Sequence, residues 1–215
     1  GSPIVGGPSV AGERLLVGTL TGEIIALARD SGEELWRRPA PSEVLAPPAG
    51  NDDVVVLRTV DGRVVALNAE NGEHIWTIDR AQPPLTLRGL STPVIVGPVV
   101  IVGMDNGRLL ALRLDDGQPA WEQTIAVPTG RSELERLADV DASLLLSGDR
   151  IIAMSYGGEL ASLDVFSGEI RWRRSIQSYT GATMIGDRIF VTDSAGAIWA
   201  LDAETGAAAW KQEAL

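Results

Sequence analysis

The 215-residue sequence contains no cysteine. Disulfides, thiolate nucleophiles and Cys-bound metals are therefore excluded, although cysteine absence by itself assigns no compartment. Histidine is nearly absent too: His74 stands alone in a turn-to-strand segment, and no Ser/His/Asp or Cys/His set assembles around it. Positive charge is scarce, with 18 Lys and Arg against 29 Asp and Glu and a net charge of −11. That balance excludes the basic footprint of a general nucleic-acid binder and disfavours direct contact with an anionic lipid surface. No run approaches the roughly 18 uninterrupted apolar residues of a membrane span. The opening "GSPIVGGPSV" lacks the basic, apolar, cleavage-site order of a signal peptide. Helix-period patterning is missing except in "SELERL", whose "SELE" has the form of a capping box.

What is present is a repeat. A 15-residue cassette occurs at 22–36, 62–76, 107–121, 158–172 and 196–210. It opens on Gly22, Gly62, Gly107, Gly158 or Gly196, has Leu five places on, and has a second Gly ten places on. It closes on Trp36, Trp76, Trp121, Trp172 or Trp210. The first Gly belongs to a tight hairpin, where positive φ carries no Cβ penalty. The following "EIIAL", "RVVAL", "RLLAL", "ELASL" and "AIWAL" read as interior strands, apolar on both faces. Upstream lie β-rich segments such as "RLLVGTL" and "RIIAMSY". Before those, "SPIVGG", "EVLAPPA", "STPVIVG", "ASLLLSG" and "ATMIGD" read as first strands.

Four antiparallel strands per repeat, at this period, make an all-β propeller blade. The reading is one propeller domain over 1–215, with blades near 3–40, 41–82, 83–127, 128–177 and 178–215. The five repeat Trp residues are expected to wedge between neighbouring blades, where an indole contributes large apolar area. Trp199 lies outside the series, inside a strand, and reads as core.

"ALNAENGEHIW" and "ALDAETGAAAW" resemble the repeat of the PQQ-like propellers, and the resemblance covers the whole chain. It implies a ring of eight blades, of which five are present as an arc. Enzyme and non-enzyme members both exist. A fragment of a PQQ-dependent dehydrogenase and a ligand-sensing domain of a membrane receptor or kinase stay open as alternatives. Against an enzyme, the vicinal disulfide near the quinone in the alcohol dehydrogenases of this superfamily has no counterpart in a chain without Cys. "DVD" at 139–141 is weak evidence for a metal site. The expectation is no enzyme, no cofactor and no metal.

Two connections break the regularity. "TIDRAQPPLTLRGLSTP" follows Trp76 and "EQTIAVPTGRSELERLADVDASL" follows Trp121, and long specific loops on a repetitive scaffold tend to carry function. "PPLTLRG", "GRSELERLADVD" and "DNGR" at 105–108 resemble the BamB family, lipoprotein subunits of the bacterial outer-membrane β-barrel assembly machinery. The resemblance implies a scaffold on the periplasmic face of the outer membrane, with a lipid anchor upstream of residue 1. It implies docking on the POTRA domains of the central barrel subunit, and unfolded outer-membrane proteins as further partners. By position, the family's contact residues fall on Leu85, Leu87, Arg88, Asp139 and Asp141. Leu90 and Leu144 depart from the family pattern nearby. In a four-stranded meander, successive blade-to-blade connections emerge on one face, so these two loops are expected side by side. Leu85 and Leu87 then supply an apolar anchor and the charged residues a rim.

Overall fold

A computed structural model describes residues 2–79, 91–126, 144–155, 158–178 and 181–213. Among the described residues there is no helix, and the strands form five four-stranded antiparallel sheets. The first sheet is β1 (Ile4–Ala11), β2 (Arg14–Thr19), β3 (Glu23–Ala28) and β4 (Glu34–Pro39). The second is β5 (Ala49–Gly50), β6 (Val54–Arg58), β7 (Val64–Asn68) and β8 (His74–Ile78). The third is β9 (Val94–Val96), β10 (Val99–Gly103), β11 (Arg108–Arg113) and β12 (Pro119–Thr124). The fourth is β13 (Leu145–Ser147), β14 (Arg150–Met154), β15 (Glu159–Asp164) and β16 (Ile170–Ser175). The fifth is β17 (Ala182–Ile185), β18 (Arg188–Thr192), β19 (Ile198–Asp202) and β20 (Ala208–Gln212). Each runs as a simple meander in chain order, the blade of a PQQ-like β-propeller.

Interior strands are the apolar ones, because both their faces are covered. Val55, Val56, Leu57, Val64 and Ala66 are fully buried in the second sheet, as are Ile151, Ala153, Leu160 and Ala161 or nearly so in the fourth. One first strand differs from expectation. "EVLAPPA" is not a strand: β5 starts only at Ala49, because Pro47 and Pro48 have no N–H to give to a ladder. Val44 of this segment is nevertheless fully buried, and its N–H donates to Thr19 O.

The two ends of each sheet are built differently. At one end, the turn joining third and fourth strands closes through the N–H of its Gly onto the carbonyl four residues earlier: Gly32 on Ala28, Gly72 on Asn68, Gly117 on Arg113, Gly168 on Asp164, Gly206 on Asp202. These glycines share φ values of 68–72°, a region that L side chains rarely enter. The residue three before each Gly donates its N–H to the turn between first and second strands: Arg29 to Glu13, Ala69 to Asp53, Leu114 to Pro98, Val165 to Asp149, Ala203 to Asp187. At the opposite end lies the hairpin of the second and third strands, together with the connection to the next sheet. There Ala40 donates to Gly22 O, Ile125 to Gly107 O and Ile176 to Gly158 O.

The chain divides into two compact units. In the first, of described residues 2–79, 91–102 and 111–120, Leu16, Ile24 and Trp36 pack with Val55, Leu57 and Leu67. In the second, of described residues 103–110, 121–126, 144–155, 158–178 and 181–213, Ile152, Met154, Leu160 and Trp172 pack with Ile189, Val191 and Leu201. In both cores one sheet stacks face to face on the next.

Candidate functional site

Four of the five repeat indoles occupy one kind of seat. Trp36 Nε1 donates to Ala69 O at 2.9 Å, Trp76 to Leu114 O at 2.8 Å, Trp121 to Val165 O at 2.8 Å and Trp172 to Ala203 O at 3.1 Å. The accepting peptide is the one that ties the next sheet's two turns together. A Cβ placed on the following Gly would meet the ring: Trp36 lies 2.7 Å from that point at Gly72, Trp76 2.7 Å at Gly117, and Trp172 2.7 Å at Gly206. The second Gly of the cassette therefore provides both the turn and the floor for the preceding sheet's Trp. Trp36 and Trp76 are buried; Trp121 and Trp172 are half-buried.

Trp210 departs from the expectation for the series. It is 48% exposed and stacks, tilted, on Phe190 of its own sheet with centroids 6.0 Å apart. The other four seats lie some thirty or more residues beyond their Trp. Trp199 is half-buried rather than fully core. Its Nε1 donates to Asp193 Oδ2 at 2.8 Å, and Lys211 Nζ sits 5.0 Å above its ring.

The accepting peptides were not singled out by sequence. A signal for them exists: the residue three before the second Gly is Ala69, Leu114, Val165 and Ala203 in four cassettes, and Arg29 in the first.

Charged groups at these turns serve the fold. Asp164 Oδ1 accepts from the N–H of Phe166 and Ser167, while Oδ2 pairs with Arg171 at 2.6 Å. The Ser167 N–H first, then Arg171, hold its carboxyl down at about 2. Asn68 and Asp202 cap their turns the same way. His74 Nε2 meets Thr77 Oγ1 at 2.8 Å on the exposed side of β8. Among the described residues, no three His, Asp or Glu side chains gather where they could hold a metal. A shallow cavity of about 450 Å³ is lined by Pro98, Val99, Arg113, Leu114 and Asp115. Arg113 and Asp115 pair with each other at 2.6 Å, so the cavity offers little polar chemistry.

Leu85, Leu87, Arg88, Asp139 and Asp141 lie outside the described residues, as do Leu90 and the "SELE" segment. The roots of their connections are described. After β8, Asp79 pairs with Arg63 of the adjacent hairpin at 3.2 Å. After β12, Ile125 and Ala126 both donate to Gly107 O, and Arg173 of β16 reaches the carbonyls of Thr124 and Ile125 at 2.6 and 3.0 Å. Leu144, where the second connection rejoins the fourth sheet, is buried.

The "DNGR" hairpin is itself irregular. Three residues before the first Gly of the cassette, Thr19, Ser155 and Asp193 accept an N–H through a side-chain oxygen, whereas the Thr59 hydroxyl donates to Asp61 Oδ1. The third hairpin has Met104 there, buried, followed by Asp105 at 5% exposure. An apolar side chain thus takes this position in the hairpin beside the longest connection.

Residues 1–212 match the family described as outer membrane protein assembly factor BamB. The BamB of Alteromonas naphthalenivorans is 44% identical over 175 residues, 81% of this chain and 42% of that protein. The BamB of Salmonella typhimurium is 40% identical over 173 residues, 80% of this chain and 44% of that protein. This chain thus spans less than half the length of either relative. The crystal structure of BamB from Moraxella catarrhalis superposes with a TM-score of 0.91 at 27% identity, over all of this chain and 66% of that one. A europium-containing methanol dehydrogenase superposes at 0.81 with 17% identity, over 98% of this chain and 51% of that one; that likeness is of fold alone. By its five Trp-closed blades and its match from end to end, the chain belongs to the BamB family of outer membrane protein assembly factors.

Proposed function

We propose that the chain is a non-catalytic scaffold of the machinery that assembles outer-membrane β-barrels, working at the periplasmic face of the outer membrane behind an upstream lipid anchor. The family match over residues 1–212 carries this reading. In it, the two long connections dock on the POTRA domains of the central barrel subunit. Leu85 and Leu87 supply desolvated contact, and Arg88, Asp139 and Asp141 set orientation and reject wrong partners. The described hairpins contribute fixed roots: the Arg63–Asp79 pair for the first connection, and the Gly107 and Arg173 contacts for the second. Rigid roots lower the ordering cost of binding.

The test is binding of a purified POTRA segment to the chain and to a Leu87→Ala/Arg88→Ala/Asp139→Ala variant. A strong loss of affinity with unchanged melting is expected. A patch variant that binds like wild type, or one that is simply unfolded, ends the docking assignment. Adding the quinone with calcium gives a second arm: thermal stabilisation or a spectral change would favour the dehydrogenase alternative.

A further inference from the structure

The chain has four asparagines, Asn51, Asn68, Asn71 and Asn106. Three of them use the side-chain oxygen to close a turn. Asn51 Oδ1 accepts the N–H of Asp53 and Val54, Asn68 Oδ1 those of Glu70 and Asn71, and Asn71 Oδ1 that of Glu73. Asn106, in the "DNGR" hairpin, breaks the pattern. Its Oδ1 is buried and, among the described residues, meets no hydrogen-bond donor. Leaving an amide oxygen so costs about 1–3 kcal/mol, and no bond through Oδ1 holds the side chain in place.

Asn71 and Asn106 are also the two that precede a glycine. With no Cβ on that glycine, its nitrogen can approach the Asn Cγ closely. The two pairs differ in what restrains them. Gly72 N–H donates to Asn68 O at 2.9 Å, Arg38 holds Asn71 O at 2.6 Å, and Trp36 lies against Gly72. Gly107 N–H reaches Met104 O only at 3.3 Å, past the usual N–H···O range. Nucleophile and side-chain amide are thus both loosely held at Asn106 and both firmly held at Asn71.

We propose that Asn106 is a site of spontaneous covalent modification, deamidation through attack by the Gly107 nitrogen. That nitrogen gives its proton to hydroxide and bonds to Asn106 Cγ. The side-chain nitrogen takes a proton from water and leaves as ammonia, which returns the hydroxide. One water then opens the five-membered imide. Opening at Cγ gives Asp; opening at the main-chain carbonyl gives isoaspartate, with one more methylene in the backbone. Either product sets a carboxylate beside Asp105, which is 5% exposed, and like charges so placed repel. Isoaspartate also shifts Gly107, whose carbonyl accepts the N–H of both Ile125 and Ala126. The modification therefore loosens the start of the second long connection.

The test ages the folded chain in mildly alkaline buffer and digests it with trypsin, which places Asn71 in peptide 64–80 and Asn106 in peptide 89–108. The mass gain from amide to acid is read on each, with fragment spectra separating Asn71 from Asn68, and isoaspartate is read with an isoaspartate-directed methyltransferase. Asn106 should convert at least about tenfold faster than Asn71. Asn71 is the more exposed of the two, so exposure alone predicts the reverse order. In urea, where the contacts that distinguish them are gone, the two rates should converge. Asn71 converting as fast as Asn106 in the folded chain, or a gap of the same size persisting in urea, would overturn the proposal. In the modified fraction, isolated by its added charge, amide exchange at Ile125 and Ala126 should quicken. Unchanged exchange there would overturn the link to the connection.

Discussion

Trp121 Cδ2 lies 2.5 Å from the point that a Cβ on Gly168 would occupy, while its Nε1 donates to Val165 O three residues earlier. Two residues 47 apart in sequence thus share one volume, and neither can be enlarged without moving the other. The same arrangement recurs at Trp36 and Gly72, Trp76 and Gly117, and Trp172 and Gly206. The second, third and fourth copies of the cassette each serve as a donor to the next sheet and as a receiver from the previous one.

Indole removal should cost according to its seat. Trp76→Ala leaves a buried cavity and an orphaned Leu114 carbonyl, and should destabilise by about 3–5 kcal/mol in urea titration. Trp210→Ala, at an exposed position, should cost about 1 kcal/mol or less. Equal losses at the two sites would sink the seat interpretation.

Gly168→Ala and Gly32→Ala separate backbone strain from collision. Their φ values are 72° and 71°, so both bear the left-handed penalty of about 1–2 kcal/mol. Only the methyl at Gly168 strikes an indole, which should add about 1–3 kcal/mol of overpacking. Thermal or chemical denaturation of the two variants side by side measures the difference. Were they equally destabilised, the indole would be yielding freely.

Asp164 should make stability depend on acid. Its folded carboxyl is depressed from 3.8 to about 2, so its contribution is fully present above 3.8 and disappears as pH falls through about 2. Asp164→Asn keeps an oxygen for the turn N–H groups and removes the Arg171 pair. The stability gap between wild type and this variant should therefore be widest near neutrality and close below pH 3. A gap that stays constant down to pH 2 would show that the charge is not responsible.

Arg173 and Arg174 are neighbours on β16 with opposite expected effects. Arg174 donates to Gly206 O at 2.6 Å, across a sheet junction, so Arg174→Ala should lower stability by about 1–2 kcal/mol. Arg173 holds the carbonyls of Thr124 and Ile125. Under the proposed docking role, Arg173→Ala should weaken POTRA binding more than it lowers the melting temperature. If both variants lose only stability, the root of the second connection has no part in binding.

The fold was legible in the sequence because its punctuation is fixed. Both Gly positions, the Leu and the Trp recur at constant offsets, and the turns fall where they predict. "EVLAPPA" was misread as a strand because its apolar pattern outweighed two prolines that cannot join a ladder. Trp210 keeps the cassette offset, but its partner here is Phe190 of its own sheet, a contact that periodicity does not encode. The peptide that receives each indole was invisible for a related reason. It acts through its carbonyl, and any apolar side chain serves there. Met104 and the buried Asp105 were also overlooked, since only comparison with the other hairpins shows that an apolar residue stands where they carry a side-chain oxygen. The candidate docking residues came from loop words rather than from physics, and their roots, Asp79 and Ala126, are as far as the described geometry reaches.

Seats for indoles lie at one end of every sheet, and the connections between sheets leave from the other. A connection can therefore grow, shrink or change composition without shifting a Trp or the Gly beneath it. The interval from β8 to β9 and that from β12 to β13 are much longer than the interval from β16 to β17, yet Trp76, Trp121 and Trp172 all reach their carbonyls within 3.1 Å. Recognition surfaces on such a chassis are free to be rewritten by insertion, and new specificities can be grafted at one rim without redesigning the load path at the other.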